Sequence, residues 1–344
     1  MKVEDEIIKR KTLADSGEKI VQYLKDLPPE VLEVQNTDSV EILGMVTGSY
    51  NINFHVRVDK KEFIFRINIE QQSKLQDQIG YEYKVLKFLE GYDIAPKVFH
   101  IDKSRRRINY GILIEEYFDG PNLSLEGSQI SEAAELLLRL HSLPVNDMEF
   151  IIWRDPLMDT FNFVNDDIIN YEAKKTASKK VTDPAKKLLT KMKPVIKKHS
   201  SLFHANSLNH TDVCCENFIK TAQGLRLIDW EKPRVDDYSY DICCFLSEPA
   251  ELYNSTRVLN SEERENFLNT YVHLSGKSAD LLFEKVKIRE PLVSLHWILW
   301  GATMLCDLRD RHTTPDLLEA HREKTARYER IANPDNIKKL LEYY

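Results

Sequence analysis

The chain has 344 residues and a formal net charge of −7, and 42% of its residues are hydrophobic while 30% are charged. A chain of this length buries large cores without disulfide or metal cross-links, and its composition excludes disordered and fibrous proteins. The acidic balance disfavours a general nucleic-acid-binding protein, although a local basic patch is compatible with it. These properties predict a globular protein of about two domains.

The compartment can be predicted from the start of the chain and from its cysteines. The first eleven residues, MKVEDEIIKRK, contain acids and no long apolar run. The most apolar stretch, near residues 295–306, is shorter than the ~20 residues of a membrane-spanning helix. Five cysteines, at positions 214, 215, 243, 244 and 306, lack the spacing of a disulfide framework or a zinc site. We therefore expect a soluble cytoplasmic protein with buried free thiols and no membrane partner. A four-thiolate metal site that joins both cysteine pairs is the alternative.

The pattern of the first third of the chain predicts an N-terminal helix, followed in sequence by a small sheet with one helix. Apolar residues recur with helical spacing from Ile7 to Leu24 and stop at Pro28-Pro29, so we expect a helix within residues 1–30. A second helix is predicted over Gln78–Leu89, and Asp59-Lys60-Lys61 indicates a hairpin turn. Hydrophobic alternation predicts five strands, at Val40–Met45, Phe54–Val58, Glu62–Ile67, Val98–Ile101 and Tyr110–Tyr117.

From about residue 119 the pattern is almost wholly helical and is interrupted only near residues 217–230. We divide the chain into an N-terminal helix (1–30), a small antiparallel-sheet N-lobe with one helix (31–118) and a large, mainly helical C-lobe (119–344). This layout is a bilobal α+β fold.

One segment of the C-lobe fits the spacing H-x-D-x-x-x-x-N, with His210, Asp212 and Asn217 at its fixed positions. This is the spacing of a kinase catalytic loop, in which the aspartate receives a proton from a hydroxyl group. The alternative is a loop whose aspartate and asparagine only cap the local backbone.

Two short strands are predicted directly after this segment, at residues 217–220 and 225–229, joined by a turn at 221–224. A hairpin folded about residue 223 places Asn217 opposite Asp229, and opposed side chains lie within ~5 Å at Cβ. An amide oxygen and a carboxylate at that separation suit a shared Mg²⁺.

The N-lobe contains residues that suit a nucleotide. Gly48, Ser49 and Asn51 lie in a turn between two strands, where backbone N–H groups can cover phosphates, although such a turn is more often an ordinary hairpin. Arg66 ends an apolar strand, and Glu82 lies on the apolar face of the predicted helix. Because a buried acid requires a cation, we expect this pair to meet and to present the guanidinium group to phosphates. Two unrelated surface charges are the alternative.

The last strand of the N-lobe ends in Glu115, Glu116 and Tyr117. A strand in this place leads into the hinge between the lobes, where an adenine can pair with backbone groups. We therefore include these three residues in the predicted nucleotide site.

Together these segments resemble the aminoglycoside phosphotransferase and choline kinase group within the protein-kinase-like fold. The resemblance runs from about residue 40 to residue 249, and more loosely to residue 328. It implies ATP as phosphoryl donor, Mg²⁺ as cofactor, a nucleotide-binding N-lobe and a C-lobe that is catalytic and binds the substrate. The segments that carry it are Gly48–Phe54, Phe63–Asn68, Leu138–Pro144, Asn209–Ile219 and Leu227–Leu246.

The resemblance also implies residue roles. By it, Asp212 is the catalytic base, Asn217 and Asp229 hold Mg²⁺, and Asp241 braces the catalytic loop. His210 supports that loop rather than transferring protons. There are two departures from the family pattern: Thr211 stands where the family usually has glycine, and Arg66 stands where many relatives have lysine, although choline-kinase-like members also carry arginine there.

Two further groups of residues concern the substrate. Trp297 and Trp300 resemble the tryptophan-rich helix of choline kinases, whose rings hold a quaternary ammonium group, but their spacing also fits plain core packing. Four acids either face a cationic substrate or lie on a solvated surface, namely Glu231, Asp236, Asp237 and Glu248.

One patch opposes the net charge of the chain. Residues 174–198 contain ten lysines and one acid, a charge of +9 that leaves −16 for the rest of the chain. This patch is either a solvated helix face or a landing surface for RNA or an acidic protein, with RNA disfavoured by the acidic remainder.

We expect a kinase that phosphorylates a hydroxyl group of a small cationic metabolite such as choline, ethanolamine or an aminoglycoside. One alternative is a kinase that acts on RNA or protein; another is a catalytically inactive binding module with a kinase fold.

Overall fold

A computed structural model describes residues 16–48, 50–69, 75–145, 149–254, 257–310 and 322–342. The chain forms two compact units: the first contains the chain up to residue 121 together with 219–232, and the second contains 122–218 and the chain from 233 onward. The segment 219–232, which was predicted as part of the C-lobe, belongs to the first unit. The reason is backbone pairing, because Lys220 N donates to Pro121 O and Leu227 N donates to Ile94 O, each at 2.8 Å.

The first unit is built on a five-stranded antiparallel sheet. Helices α1 (Gly17–Lys25) and α2 (Pro29–Leu32) precede the sheet, and α3 (Gln78–Leu89) begins at Asp77, whose carboxylate accepts a hydrogen bond from Gly80 N. The start of the predicted N-terminal helix, at Ile7, lies outside the described residues. The strands are β1 (Val40–Thr47), β2 (Asn51–Val58), β3 (Lys61–Asn68), β4 (Val98–Asp102) and β5 (Gly111–Glu116). Their order in the sheet is β1-β2-β3-β5-β4.

Alternating side chains of the sheet form the core of this unit. On β2 and β3, Phe54, Val56, Phe63 and Phe65 are buried, and Tyr23 of α1 packs edge-on against Phe65. The five predicted strands are therefore confirmed, with small differences at their ends. The turn between β2 and β3 is shorter than predicted, because Lys61 already pairs with Val58.

The second unit is mainly helical. Its helices are α4 (Gln129–His141), α5 (Pro156–Glu172), α6 (Lys179–His199), α7 (Ser239–Leu246), α8 (Glu248–Asn254), α9 (Ser261–Ser275), α10 (Ala279–Asp310), α11 (Arg322–Ile331) and α12 (Pro334–Glu342). A small three-stranded sheet was not predicted, because strands of two or three residues are too short to show an alternating pattern. These strands are β6 (Ile151–Ile152), β7 (Ser207–Asn209) and β10 (Arg234–Asp236), and β10 lies between the other two.

The core of the second unit lies between α5, α6 and α10. Within the described part of the chain, α10 is the one helix that is long and apolar enough to cross a bilayer, but 67% of its apolar window is buried inside the protein. This burial is typical of the central helix of a globular core. All five cysteines are free and buried, as predicted.

Candidate active site

A single buried carboxylate holds the loop that begins at His210. Asp241, in the first turn of α7, is fully buried and accepts hydrogen bonds from His210 N at 2.7 Å and Thr211 N at 2.8 Å. The ring of His141 on α4 lies 3.2 Å from the same carboxylate. A buried charge needs such partners, and here they are the backbone groups of the loop itself. Asp241 is thus placed to brace the loop in the manner that the resemblance implies.

The loop contains a strained residue next to the predicted base. Thr211 has φ of 74°, a left-handed conformation that favours glycine. The hydrogen bond from Thr211 N to Asp241 helps to hold the threonine in this conformation. Strain of this kind persists only where the surroundings enforce it.

Asp212 and Asn217 are connected through the backbone of the loop. Asn217 Nδ2 donates to Asp212 O at 2.8 Å, and Cys214 N donates to the same oxygen at 3.2 Å. Asn217 ends a short 3₁₀ turn, Cys215–Asn217. Because its amide nitrogen is used inside the loop, the amide oxygen is the atom of Asn217 that suits a hard cation.

The hairpin after this loop differs from the prediction. Its strands are β8 (Phe218–Thr221) and β9 (Gly224–Leu227), with a two-residue turn between them. Gly224, with φ of 112°, allows this tight turn, and Thr221 Oγ1 donates to Gly224 O. The hairpin therefore folds between residues 222 and 223 and not about residue 223, so the predicted pairing is wrong by one residue. Since Asn217 and Asp229 both lie outside the paired strands, hairpin register gives no support to a shared metal ion, and that assignment depends on the family resemblance.

In the first unit, the central feature is a buried arginine surrounded by acids. Arg66 on β3 is 2% exposed. Its guanidinium nitrogens lie 3.1 Å from Glu82 Oε1, 2.6 Å from Asp229 Oδ1 and 2.7 Å from Glu231 Oε1. The predicted pair of Arg66 with Glu82 is present. The two acids that follow β9 were not predicted as its partners.

The carboxylates around Arg66 outnumber its single positive charge, and the pKa values of three of these acids are raised. Burial, opposed by Arg66, raises the pKa of Glu82 to about 8 and that of Glu115 to about 7. Burial together with Asp229 raises the pKa of Glu231 to about 8. An excess of carboxylates in a desolvated place favours the uptake of a proton or of a metal cation.

The oxygen ligands that the first unit offers beside Arg66 fit a Mg²⁺ ion that is bound together with a nucleotide. No group of three or more His, Cys, Asp and Glu side chains in the described ranges is arranged to hold a metal by itself. Mg²⁺ usually takes one or two protein carboxylates and completes its shell with phosphates and water. Asp229, with its side chain 34% exposed, is the accessible acid beside Arg66.

Gly48 and Asn51, predicted nucleotide-site residues at the turn between β1 and β2, make contacts within the first unit. Gly48 N donates to Asn51 O at 2.9 Å and closes the turn between β1 and β2, while Ser49 lies outside the described residues. The Asn51 side chain donates to Glu231 and accepts from Asn68, so it is engaged inside the unit.

The residues at the end of β5 differ in their contacts. Glu115 is buried. Glu116 Oε2 accepts from Lys97 N at 3.1 Å, and the Tyr117 ring stacks on His55 at 3.7 Å between centroids. The predicted adenine contact at these residues is untested by this geometry and stays a prediction.

Neither interpretation of Asp236 and Asp237 was right. Both are fully buried, and they pair with cations of α10: Arg289 lies 2.7 Å from Asp236 and Lys285 lies 2.6 Å from Asp237. Glu248 pairs with Lys339 at the surface. Sequence reasoning missed the two cations, although Lys285 and Arg289 lie four residues apart and therefore on one face of a helix, which was the available signal.

An aromatic cluster surrounds Trp300 in the second unit. Its ring lies 5.1 Å from Tyr253, 5.5 Å from Tyr328 and 5.6 Å from Trp297, measured between centroids. The Arg327 guanidinium lies 5.7 Å from the Tyr253 ring. Trp300 therefore takes part both in core packing and in a cluster whose rings contact a cation. Sequence reasoning missed Tyr253, Arg327 and Tyr328.

A cavity of about 350 Å³ lies beside the loop in the same unit and is lined by residues 122–126, Cys215, Glu216 and Arg257. The Cys215 thiol donates to Glu251 Oε2 at 3.1 Å. Burial raises the pKa of Glu251 to about 7. Glu251 was not predicted as a functional residue, and the short sequence of α8, EPAELYN, gives no signal for its burial.

We expect Glu251→Gln to stabilise the protein at alkaline pH. The pKa of Glu251 is about 7 in the folded state and about 4.5 when unfolded. The folded state therefore binds the proton more tightly, and Glu251 destabilises the fold as pH rises through this window. Between about pH 5 and 8.5, the free energy of unfolding of Glu251→Gln should rise relative to that of the wild type by up to ~3 kcal/mol. Urea unfolding at both pH values measures this shift.

The matched control for that experiment is Glu248→Gln, which changes an exposed glutamate on the same helix. Its effect should be nearly the same at both pH values. Parallel pH dependence of the wild type and of Glu251→Gln would contradict the assignment.

Comparison with known proteins settles the family. The profile of the choline/ethanolamine kinase family matches residues 42–329. The chain belongs to the choline/ethanolamine kinase family. As a member of this family it is a phosphotransferase that acts on a hydroxyl group, of the small-molecule kinase type. No curated protein matches the chain.

Solved structures show that this choline/ethanolamine kinase family member has the kinase-like fold. An ethanolamine kinase from Plasmodium vivax is 19% identical, with 93% of this chain and 88% of that chain covered and a TM-score of 0.60. A choline kinase from Cryptosporidium parvum is 17% identical, with coverage of 94% and 96% and a TM-score of 0.63. A spectinomycin phosphotransferase in complex with ADP and spectinomycin is 13% identical, with coverage of 88% and 94% and a TM-score of 0.55. The predicted α+β kinase-like fold and the predicted family are confirmed.

Proposed function

We propose that this protein is an ATP- and Mg²⁺-dependent kinase that phosphorylates the hydroxyl group of a small amino alcohol such as choline or ethanolamine. The observation that carries the proposal is the braced loop of the second unit. Asp241 holds His210 and Thr211 by their backbone N–H groups, next to Asp212, in a chain of the choline/ethanolamine kinase family.

In the proposed reaction, Asp212 accepts the proton of the substrate hydroxyl group. The hydroxyl oxygen forms a bond to the γ-phosphorus of ATP while the bond to the bridging oxygen of ADP breaks. Asn217 and Asp229 would hold Mg²⁺, which supplies charge neutralisation on the phosphates when bound. The carboxylate excess around Arg66 supports a cation in the first unit, since the positive charge of Arg66 is already shared among three acids.

The aromatic cluster supports a cationic acceptor. Ring faces attract ammonium groups by cation–π interaction, and the contact of Arg327 with Tyr253 shows that a cation is compatible with this cluster. Two similar proteins named above are a choline kinase and an ethanolamine kinase. An aminoglycoside acceptor has less support, because the family profile that matches is that of choline/ethanolamine kinases.

The test is ADP release from ATP and Mg²⁺ with separate acceptors: choline, ethanolamine, an aminoglycoside, tRNA and an acidic protein. We expect release with choline or ethanolamine only. Trp300→Leu should raise the KM for the acceptor about 10-fold or more through loss of a desolvated cation–π contact. Trp300→Phe, which keeps a ring, is the matched control and should show a smaller rise.

Two outcomes would contradict the proposal. Release with tRNA or protein alone would indicate a kinase of macromolecules. Failure with every acceptor, in a protein that still binds ATP, would indicate a binding module.

A further inference from the structure

Helix α6 concentrates positive charge on one side. It has 21 residues, Lys179–His199, and is therefore ~30 Å long. Its apolar residues Val181, Leu188, Met192 and Ile196 are buried in the core. At ~100° per residue its lysines fall within an arc of about 160° on the opposite side. This lysine face consists of Lys179, Lys180, Lys186, Lys187, Lys191, Lys193, Lys197 and Lys198, all exposed.

The lysine face has little compensating charge. Among the described residues, Lys186 is its one member with an ion-pair partner, Glu172 at 2.5 Å. Asp183 is the one acid in the sequence of the helix. Lysines four apart, such as Lys187 and Lys191, repel each other on a helix surface. An anionic partner over this face would relieve that repulsion.

We propose that the lysine face of α6 binds the anionic surface of a lipid bilayer. A membrane surface attracts clustered lysines by its diffuse negative potential and requires no fixed hydrogen-bond geometry. Lysine is a flexible point charge, whereas sites that recognise individual phosphates favour arginine. The exposed positions between the lysines are Asp183, Thr190 and Pro194, so the face presents no aromatic ring on which an RNA base could stack.

An exposed apolar residue lies beside the lysine face. Ile169 on α5 is 56% exposed. It stands three residues before Glu172, on the same side of α5, and Glu172 contacts Lys186. The interface of a bilayer accommodates such a side chain next to lysines, whereas a nucleic-acid backbone does not. The expectation of no membrane partner came from the lack of a spanning segment, and binding to a membrane surface needs none.

The test is sedimentation of the full-length protein with vesicles at ~0.1 M salt. We expect binding to phosphatidylcholine vesicles that contain 30 mol % phosphatidylserine and none to phosphatidylcholine alone. The variant K179Q/K187Q/K191Q/K198Q should lower the partition coefficient at least ~50-fold, since each lysine strengthens binding about five-fold. Raising the salt to ~0.5 M should weaken wild-type binding, because screening shortens the range of the attraction.

The matched control is K19Q/K25Q/K60Q/K84Q, which removes four exposed lysines of the first unit and changes the net charge equally. It should change vesicle binding less than three-fold, and both variants should keep wild-type turnover. Equal losses in the two variants, or no binding to phosphatidylserine vesicles, would overturn the proposal. Binding of an RNA duplex that only the α6 variant loses, without vesicle binding, would assign the lysine face to nucleic acid instead.

Discussion

Asp212→Asn should reduce turnover by ~10²–10⁴-fold, the usual effect of removing a general base. Asparagine keeps the shape of the side chain but cannot accept the proton of the substrate hydroxyl group. The affinity for ATP should stay nearly unchanged, because the substitution alters proton acceptance. Steady-state kinetics measures the loss of kcat, and calorimetric titration with ATP measures binding.

Two controls make that result specific to the base. Asp183→Asn changes an exposed aspartate on α6 and should leave kcat unchanged. Thermal unfolding of Asp212→Asn should match the wild type, because the loop is held through Asp241 and the backbone of residues 210 and 211. Wild-type turnover in Asp212→Asn would reject its catalytic role.

Asp229→Ala should weaken Mg²⁺-dependent ATP binding at least ~100-fold, since loss of even an outer-shell partner of a metal costs about 10–100-fold. The alanine variant loses the carboxylate that we propose as a Mg²⁺ ligand. The variant should fold with reduced stability, because Arg66 keeps its contacts with Glu82 and Glu231 while the backbone of residue 229 loses the ion pair that holds it. Calorimetric titration with ATP, in Mg²⁺ and in EDTA, measures the effect.

Glu231→Gln distinguishes the loss of a metal ligand from the loss of an ion pair with Arg66. Glu231 also pairs with Arg66, at 2.7 Å against 2.6 Å for Asp229, but it is not a proposed ligand. We expect this variant to retain most of the Mg²⁺-dependent affinity. If both variants lost it equally, the effect would belong to the ion pairs of Arg66 and the metal assignment of Asp229 would fail.

Two residues of the proposed site adopt left-handed backbone conformations without being glycine. Thr211 has φ of 74° and Asp229 has φ of 69°. Such conformations cost of order 1–3 kcal/mol each and persist where the surroundings enforce them. For Thr211 the enforcing contact is the carboxylate of Asp241, and for Asp229 it is the ion pair with Arg66. In each unit a buried charged group therefore stabilises the strained backbone.

Local pattern alone was enough to predict much of this protein. The helix Gln78–Leu89 has the predicted bounds, and the five strands of the first unit lie where alternation placed them. The pair of Arg66 with Glu82 followed from one rule, that an acid on an apolar helix face needs a cation. Hydrophobic periodicity shows which face of a helix or strand is buried. The bounds of such elements, and a charge on their buried face, can therefore be predicted from sequence.

Partner choice needed the tertiary structure. Asp236 and Asp237 pair with cations about fifty residues later on α10, and Glu251 meets a thiol from a different segment. A sequence pattern shows that a charge lies among apolar residues, but not which distant group packs against it. The hairpin failed for a related reason: its turn is centred between residues 222 and 223 and not on residue 223, which moves every predicted pairing by one residue, and side-chain direction alternates with each residue. The partners of the buried charges and the hairpin pairing were decided by the tertiary structure. Only the packing of distant elements determines which buried charges form pairs and which are buried without an opposite charge.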